Sequence, residues 1–310
     1  MIPDSYLGWK IDFSEPRGEA AYLAPDSVHW RIYKNPVALG IGGVAAVLLE
    51  FADARIRSGV WDHSTYKADP IGRSQRTGIA ALVGVYGPAS AARKVIGGVN
   101  RMHAQVKGTT PSGEAYTALD PDLLDWVAAT AEFGFLTAYD RFVQPVSEQD
   151  KARFYGEGAV LARLYGVKQP PRSPADFLAM LEARLPRFEP HPIVNEFVGI
   201  IESGRAAPIL PGFLHRALAR ASISILPQAV RERLGFGADR ELSRADRIAL
   251  KIAGRVAERF STEDAPHRQA CLRVGLPADF LHRSAGTQRR LLEEAGLAGV
   301  GAEPADAAAI

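Results

Sequence analysis

Arg73, Arg76 and Thr77 fall within five residues of one another, and His103 follows on the next helical stretch. Two guanidiniums, a hydroxyl and one imidazole set among apolar residues could serve a buried, planar, iron-bearing cofactor. The cations would meet its acidic substituents and the imidazole would meet the metal. Arg73, Thr77, Ala80 and Gly84 recur at i, i+4, i+7 and i+11, so they share one helical face, with Arg76 beside them. The guanidinium fork suits carboxylates such as propionates, and the small residues leave room for a ring. A solvated helix surface with ordinary arginines is the alternative that spacing leaves open.

His103 belongs to a second stripe. Ile96, Val99, His103 and Val106 follow at +3, +4 and +3, which turns the imidazole toward the apolar side, away from Arg101, Gln105 and Lys107. A buried neutral imidazole offers a lone pair to iron, and its other nitrogen then needs an acceptor. A hydrogen-bonded core histidine would leave the same trace. His63, in Trp61-Asp62-His63-Ser64, could be a second ligand, a distal acid/base or a hydrogen bonder that orders its loop. His191, His215, His267 and His282 have no partner at metal-ligand spacing, and HExxH, GxSxG and P-loop patterns are missing.

Gly40-Ile41-Gly42-Gly43-Val44-Ala45 formally fits a dinucleotide fingerprint, but Pro36 already starts a helix and no βαβ unit surrounds the run. Close helix–helix approach explains these glycines, and a flat cofactor could lie against the same small surface at Gly43.

The elements that must hold these residues read as helices. Pro36, Pro70, Pro88, Pro121 and Pro174 each open an apolar-periodic run, most behind an Asn, Asp or Ser cap, and Ser147 with Asp150 marks another start. Gly108, Gly166, Gly204 and Gly235 sit where helices would stop. Stripes such as Leu123, Leu124, Val127 and Phe177, Leu178, Leu181 have helical spacing, and the one run tempting as a strand is Val28–Tyr33. The expectation is an all-α protein, a single large helical domain of roughly ten helices. Residues 205–240, with several Pro and Gly, read as a connecting region.

At 310 residues the chain can bury a full core. A net charge of +2, spread without a basic block, gives no argument for nucleic acid or an acidic membrane surface. The single Cys271 excludes an internal disulfide and CxxC metal sites, and a reducing cytoplasm is the simplest home. The charged start, Met1–Phe13, is no signal peptide, and the apolar run Pro36–Leu49 is shorter than the roughly 20 residues of a spanning helix.

The order Asn35-Pro36, Gly42-Gly43, Leu48-Leu49-Glu50, Gly59-Val60, His63-Ser64, Asp69-Pro70, Arg73 and Arg76-Thr77 resembles the MpaB/latex-clearing (rubber) oxygenase family. Tyr86-Gly87, Arg101, His103, Val106, Gly108, Tyr116, Asp120-Pro121, Leu124, Trp126 and Val127 continue it. The likeness covers roughly residues 28 to 260. It divides the chain into an N-terminal extension, 1–27, a catalytic domain, 28–260, and a C-terminal helical segment with a flexible tail, 261–310.

The resemblance implies a globin-like helical core, haem b, and O₂ chemistry on apolar small molecules. It implies His103 as proximal iron ligand and Arg73, Arg76 and Thr77 on the distal side. Arg76 stands where rubber oxygenases carry an iron-reaching lysine. A permanently protonated arginine is a poor ligand, so it would instead donate to bound oxygen. Asp53-Ala54 stands where many members have His-Pro. The chain lacks the extra terminal segments of rubber oxygenases, so polyisoprene is not the expected substrate. The expectation is thus a haem-dependent oxygenase with no nucleic-acid partner and no membrane span, with homo-oligomerisation left open. A haem sensor or carrier, and a cofactor-free helical protein for a lipid-like ligand, are its rivals.

Overall fold

A computed structural model describes residues 4–205 and 212–301. Within them lie fourteen α-helices and two short antiparallel hairpins, so the all-α expectation holds. The hairpins are β1 (Ser5–Tyr6) with β2 (Trp9–Lys10), and β3 (Lys107–Thr109) with β4 (Ala115–Thr117). The first seven helices are α1 (Val28–Tyr33), α2 (Pro36–Ala52), α3 (Ala54–His63), α4 (Pro70–Tyr86), α5 (Ala89–His103), α6 (Pro121–Phe142) and α7 (Glu148–Leu164). Then follow α8 (Pro174–Arg184), α9 (Pro192–Glu202), α10 (Gly212–Ile225), α11 (Gln228–Arg233), α12 (Arg244–Arg259), α13 (Pro266–Arg273) and α14 (Ala285–Ala295). The count exceeds ten because helices as short as α1, α11 and α13 leave no periodic signature in sequence.

Four of the five prolines are the first helical residue, and Pro88 immediately precedes α5 as its N-cap. Asn35 Oδ1 accepts from the N–H of Val37 at 3.1 Å and Ser173 Oγ from that of Asp176 at 3.1 Å. Only α5 starts without a side-chain cap among these five, since Gly87 and Pro88 have none to offer. Gly166, Gly204 and Gly235 adopt φ of +87°, +75° and +71° after their helices.

Other expectations need correction. Gly108 lies in β3 and ends no helix. Leu178 is exposed, because Phe177 and Leu181 alone turn α8 toward the core. Val28–Tyr33 is a helix capped by Ser27, and most of residues 212–233 is helical rather than connecting. Of the tail expected to fray, Gly296–Ile310, residues 302–310 lie outside the described residues.

The core forms around α2, the apolar run Pro36–Leu49, which packs on α6, α10, α12 and α9. Gly42 and Gly134 allow α2 and α6 to touch backbone to backbone. A Cβ added to Gly42 would lie 2.7 Å from the Gly134 carbonyl oxygen. Trp126 Nε1 then reaches the Leu49 carbonyl at 3.3 Å. One hydrophobic cluster runs from Trp9 and Phe13 through this pair to Leu276, Phe280 and Leu292. Buried Arg273 ties both chain ends to α4, donating to the carbonyls of Phe13, Glu19 and Tyr86 at 2.6, 2.8 and 2.7 Å. No helix among the described residues is by itself long and apolar enough to cross a membrane.

Gly42→Ala therefore forces α2 and α6 apart and should cost about 2 kcal/mol of stability. Gly43→Ala, whose Cβ would meet only the Phe135 ring at 3.8 Å, should be neutral or gain up to about 1 kcal/mol from helix propensity. Denaturant midpoints of the two variants check the difference.

Candidate functional site

While α2 packs on α6, α10 and α12, α4 packs on α5, α1 and α13 and meets α2 only marginally. Gly40, Gly43, Val44, Val47 and Glu50 keep partial accessibility along α2, while Ala38, Ile41, Ala45, Leu48 and Leu49 are sealed. On α6, Val127, Ala131 and Phe135 form a matching half-open stripe. These half-open faces of α2 and α6 together make a slot surface.

Arg73 stands at this slot from α4. Thr77 fixes it, accepting from Arg73 Nη1 while its own hydroxyl donates to the Arg73 carbonyl at 3.0 Å. The Arg73 charge is felt at Glu50, Tyr66 and His103, groups from three other segments. Ala80 is half-buried above it, but Gly84 is closed off by Leu161, 3.5 Å from a built Cβ. The usable part of the expected small-residue face is thus Arg73 to Ala80.

His103 ends α5; Val106, expected to extend its stripe, lies past the helix and donates its N–H to the His103 carbonyl at 3.0 Å. The imidazole is half-buried, and its Nδ1 is fully buried with no hydrogen-bond partner. The acceptor expected for its second nitrogen is not found among the described residues. Burial, followed by the Arg73 charge, pushes its pKa down, so the ring is neutral. An orphaned buried polar atom costs about 1–3 kcal/mol unless a ligand takes it.

Sequence reading assigned Glu50 no role of its own, naming it only within Leu48-Leu49-Glu50. Its spacing after Gly43 and Val47, i+7 and i+3, could have placed it on the slot face. Burial pushes its carboxyl up to about 7, with Thr130 and the Arg73 charge pulling partly back. Thr130 Oγ1 lies 3.2 Å from Glu50 Oε1 and 2.9 Å from the Val127 carbonyl. The single Thr130 hydroxyl proton is donated to Glu50 Oε1 or to the Val127 carbonyl, one at a time.

The remaining candidates lie at the margin. Arg76 turns to the α3–α4 loop, with Nη2 donating to Thr65 Oγ1 at 2.8 Å and Nη1 to Asp69 Oδ2 at 3.4 Å. His63 is exposed and its Nε2 shares a hydrogen bond with the Tyr116 hydroxyl at 3.2 Å, joining α3 to β4. Asp53 caps α3 through the N–H of Arg55 at 2.9 Å and pairs with Arg55 and Arg184 at 3.0 and 3.4 Å. That buried carboxylate welds α3 to α8. The β1–β2 hairpin covers the outer edge of α5: Leu7 fills a notch that a Cβ on Gly98 would reach within 2.9 Å. Tyr6 beside it feels both Arg73 and Arg76, although burial still raises its pKa.

The family described as ER-bound oxygenase mpaB/B'/Rubber oxygenase, catalytic domain, matches residues 30–259, most of the chain. The chain belongs to this family. No curated protein and no solved structure gives a significant match. Membership places the chain in a family of oxygenases, and the matched span holds α2 to α6 and every slot residue. Among the described residues no three His, Cys, Asp or Glu side chains converge on a metal-sized point. One imidazole with a spare nitrogen suits a metal carried in its own macrocycle, which needs a single axial donor.

Glu50 has a consequence for stability. Its proton is lost near 4.5 in the unfolded chain and near 7 in the fold, so stability should fall as pH rises across that window. The loss, discounted for partial solvent access, is about 2 kcal/mol. Glu50→Gln should flatten the slope between those pH values in denaturant titrations. A carboxylic C=O infrared band titrating near pH 7 should vanish with it.

Proposed function

We propose that this chain is a haem b-dependent oxygenase acting on an apolar small molecule, with His103 as the axial ligand to iron. The observation that carries this reading is the neutral, half-buried His103 ring, which makes no side-chain hydrogen bond with any described residue and lies close enough to Arg73 to feel its charge. The haem would supply O₂ activation. Gly43, Val44, Val47 and Phe135 would line its apolar surroundings on the α2–α6 side.

Arg73, held by Thr77, presents fixed N–H donors and a positive charge opposite Glu50 and orients whatever polar group enters the slot. Glu50 keeps or gives up a proton close to neutral pH at its carboxyl oxygen, the property a general acid/base needs. Arg76 stands behind Arg73, fixing the α3–α4 loop through Thr65 and Asp69, and His63 orders the loop facing Tyr116. A reducing cytoplasm suits the lone, fully buried Cys271.

The test is haem titration of the purified protein followed by O₂ consumption with apolar substrates. Wild type should take up one haem per chain with a Soret band, and His103→Ala should lose stoichiometric binding. Arg73→Ala should keep haem and slow substrate-dependent O₂ uptake at least about tenfold. Unchanged haem binding in His103→Ala would overturn the assignment. A stable oxygenated complex with no substrate oxidation would make the protein a carrier or sensor.

A further inference from the structure

The inner side of α12 is locked in place. Leu250 and Gly254 are buried, with a Cβ on Gly254 reaching within 2.6 Å of the Phe142 carbonyl oxygen. Asn35 Nδ2 donates to the Gly254 carbonyl at 2.9 Å, and Glu258 accepts from Lys34 and from the Tyr139 hydroxyl, the latter at 2.8 Å. The outer side is a different surface. Ile248, Ile252, Val256 and, just past the helix end, Phe260 recur every four residues and are 59, 58, 52 and 73% exposed. Beside this stripe runs a row of exposed cations, Arg244, Arg247, Lys251, Arg255 and Arg259. Their side chains make no ion pair or hydrogen bond with any described residue.

We propose that this face of α12 docks on the surface of an anionic phospholipid bilayer. The apolar stripe extends about 18 Å along the helix, at 1.5 Å per residue, and the cation row runs parallel to it. That is the arrangement of a helix lying in the membrane interface, with apolar side chains below the phosphates and long basic side chains reaching back up to them. The face continues into a cleft of about 550 Å³ at the start of α12, where Arg141, Arg231 and Arg247 converge. None of these three is ion-paired among the described residues, and Arg231 Nε is buried without a partner. Glu232 and Glu241 also line this cleft without pairing with these three arginines, and lipid phosphates would supply their counter-charges. A second copy of the chain would not, because an isologous pairing sets two rows of cations against each other. The proposal is independent of the haem reading and concerns the opposite face of α12 from the core.

Co-sedimentation with phosphatidylcholine vesicles, with and without phosphatidylglycerol, tests it on the full chain. Binding should require the anionic lipid and be reversed by high salt. The Lys251→Glu/Arg255→Glu variant should lower partitioning at least about tenfold, and Ile252→Ser/Phe260→Ser should weaken it as well. All four positions are exposed, so unfolding temperatures should match wild type. No sedimentation with either vesicle, or equal binding by the variants, would overturn the proposal. So would sedimentation equilibrium showing a dimer abolished by Ile252→Ser/Phe260→Ser, which would assign the face to a second copy.

Discussion

The backbone contact between Gly42 and Gly134 is the constraint on which the rest of the fold depends. With no side chain on either residue, α2 and α6 approach closely enough for Trp126 to reach the Leu49 carbonyl and Thr130 to reach Glu50. Gly43, one residue on, turns to another side of α2, where it keeps the slot surface low. Neighbouring glycines thus do two jobs: one lets helices meet, the other leaves space where they do not.

Across that slot the decisive interaction is electrostatic. A guanidinium that stays charged at any working pH is held by its own helix through Thr77. Its field discourages protonation of His103 and moderates the burial that raises Glu50. The result is one neutral imidazole and one carboxyl held up at about 7, both within reach of the same guanidinium. Environments that push neighbouring groups to opposite protonation preferences are how sites acquire separate ligand and acid/base roles.

Much of this was legible in sequence because it is local. Proline behind Asn35, Asp69, Asp120 and Ser173 fixes where helices start, and the period of the apolar residues fixes their type. The Arg73–Thr77 pairing follows from i, i+4 spacing alone. What was hidden depends on tertiary placement. Glu50 carried no role in sequence, because only the approach of Thr130 on α6 gives it a partner. Arg76 shares its helix with Arg73, yet the loop carrying Thr65 and Asp69 draws it away. A net charge of +2 concealed the basic face of α12, because carboxylates elsewhere cancel it in the sum but not in space. Asp53 became interpretable once α8 brought Arg184 beside it.

We propose His103 as the axial ligand to haem iron. Resonance Raman spectroscopy of the ferrous, haem-loaded protein tests it directly, with His103→Gly and added imidazole as the comparison. The account predicts an iron–histidine stretching band in wild type that disappears in His103→Gly and returns, shifted, when free imidazole fills the vacated space. A band that persists unchanged in His103→Gly would contradict it and assign the iron to another side chain.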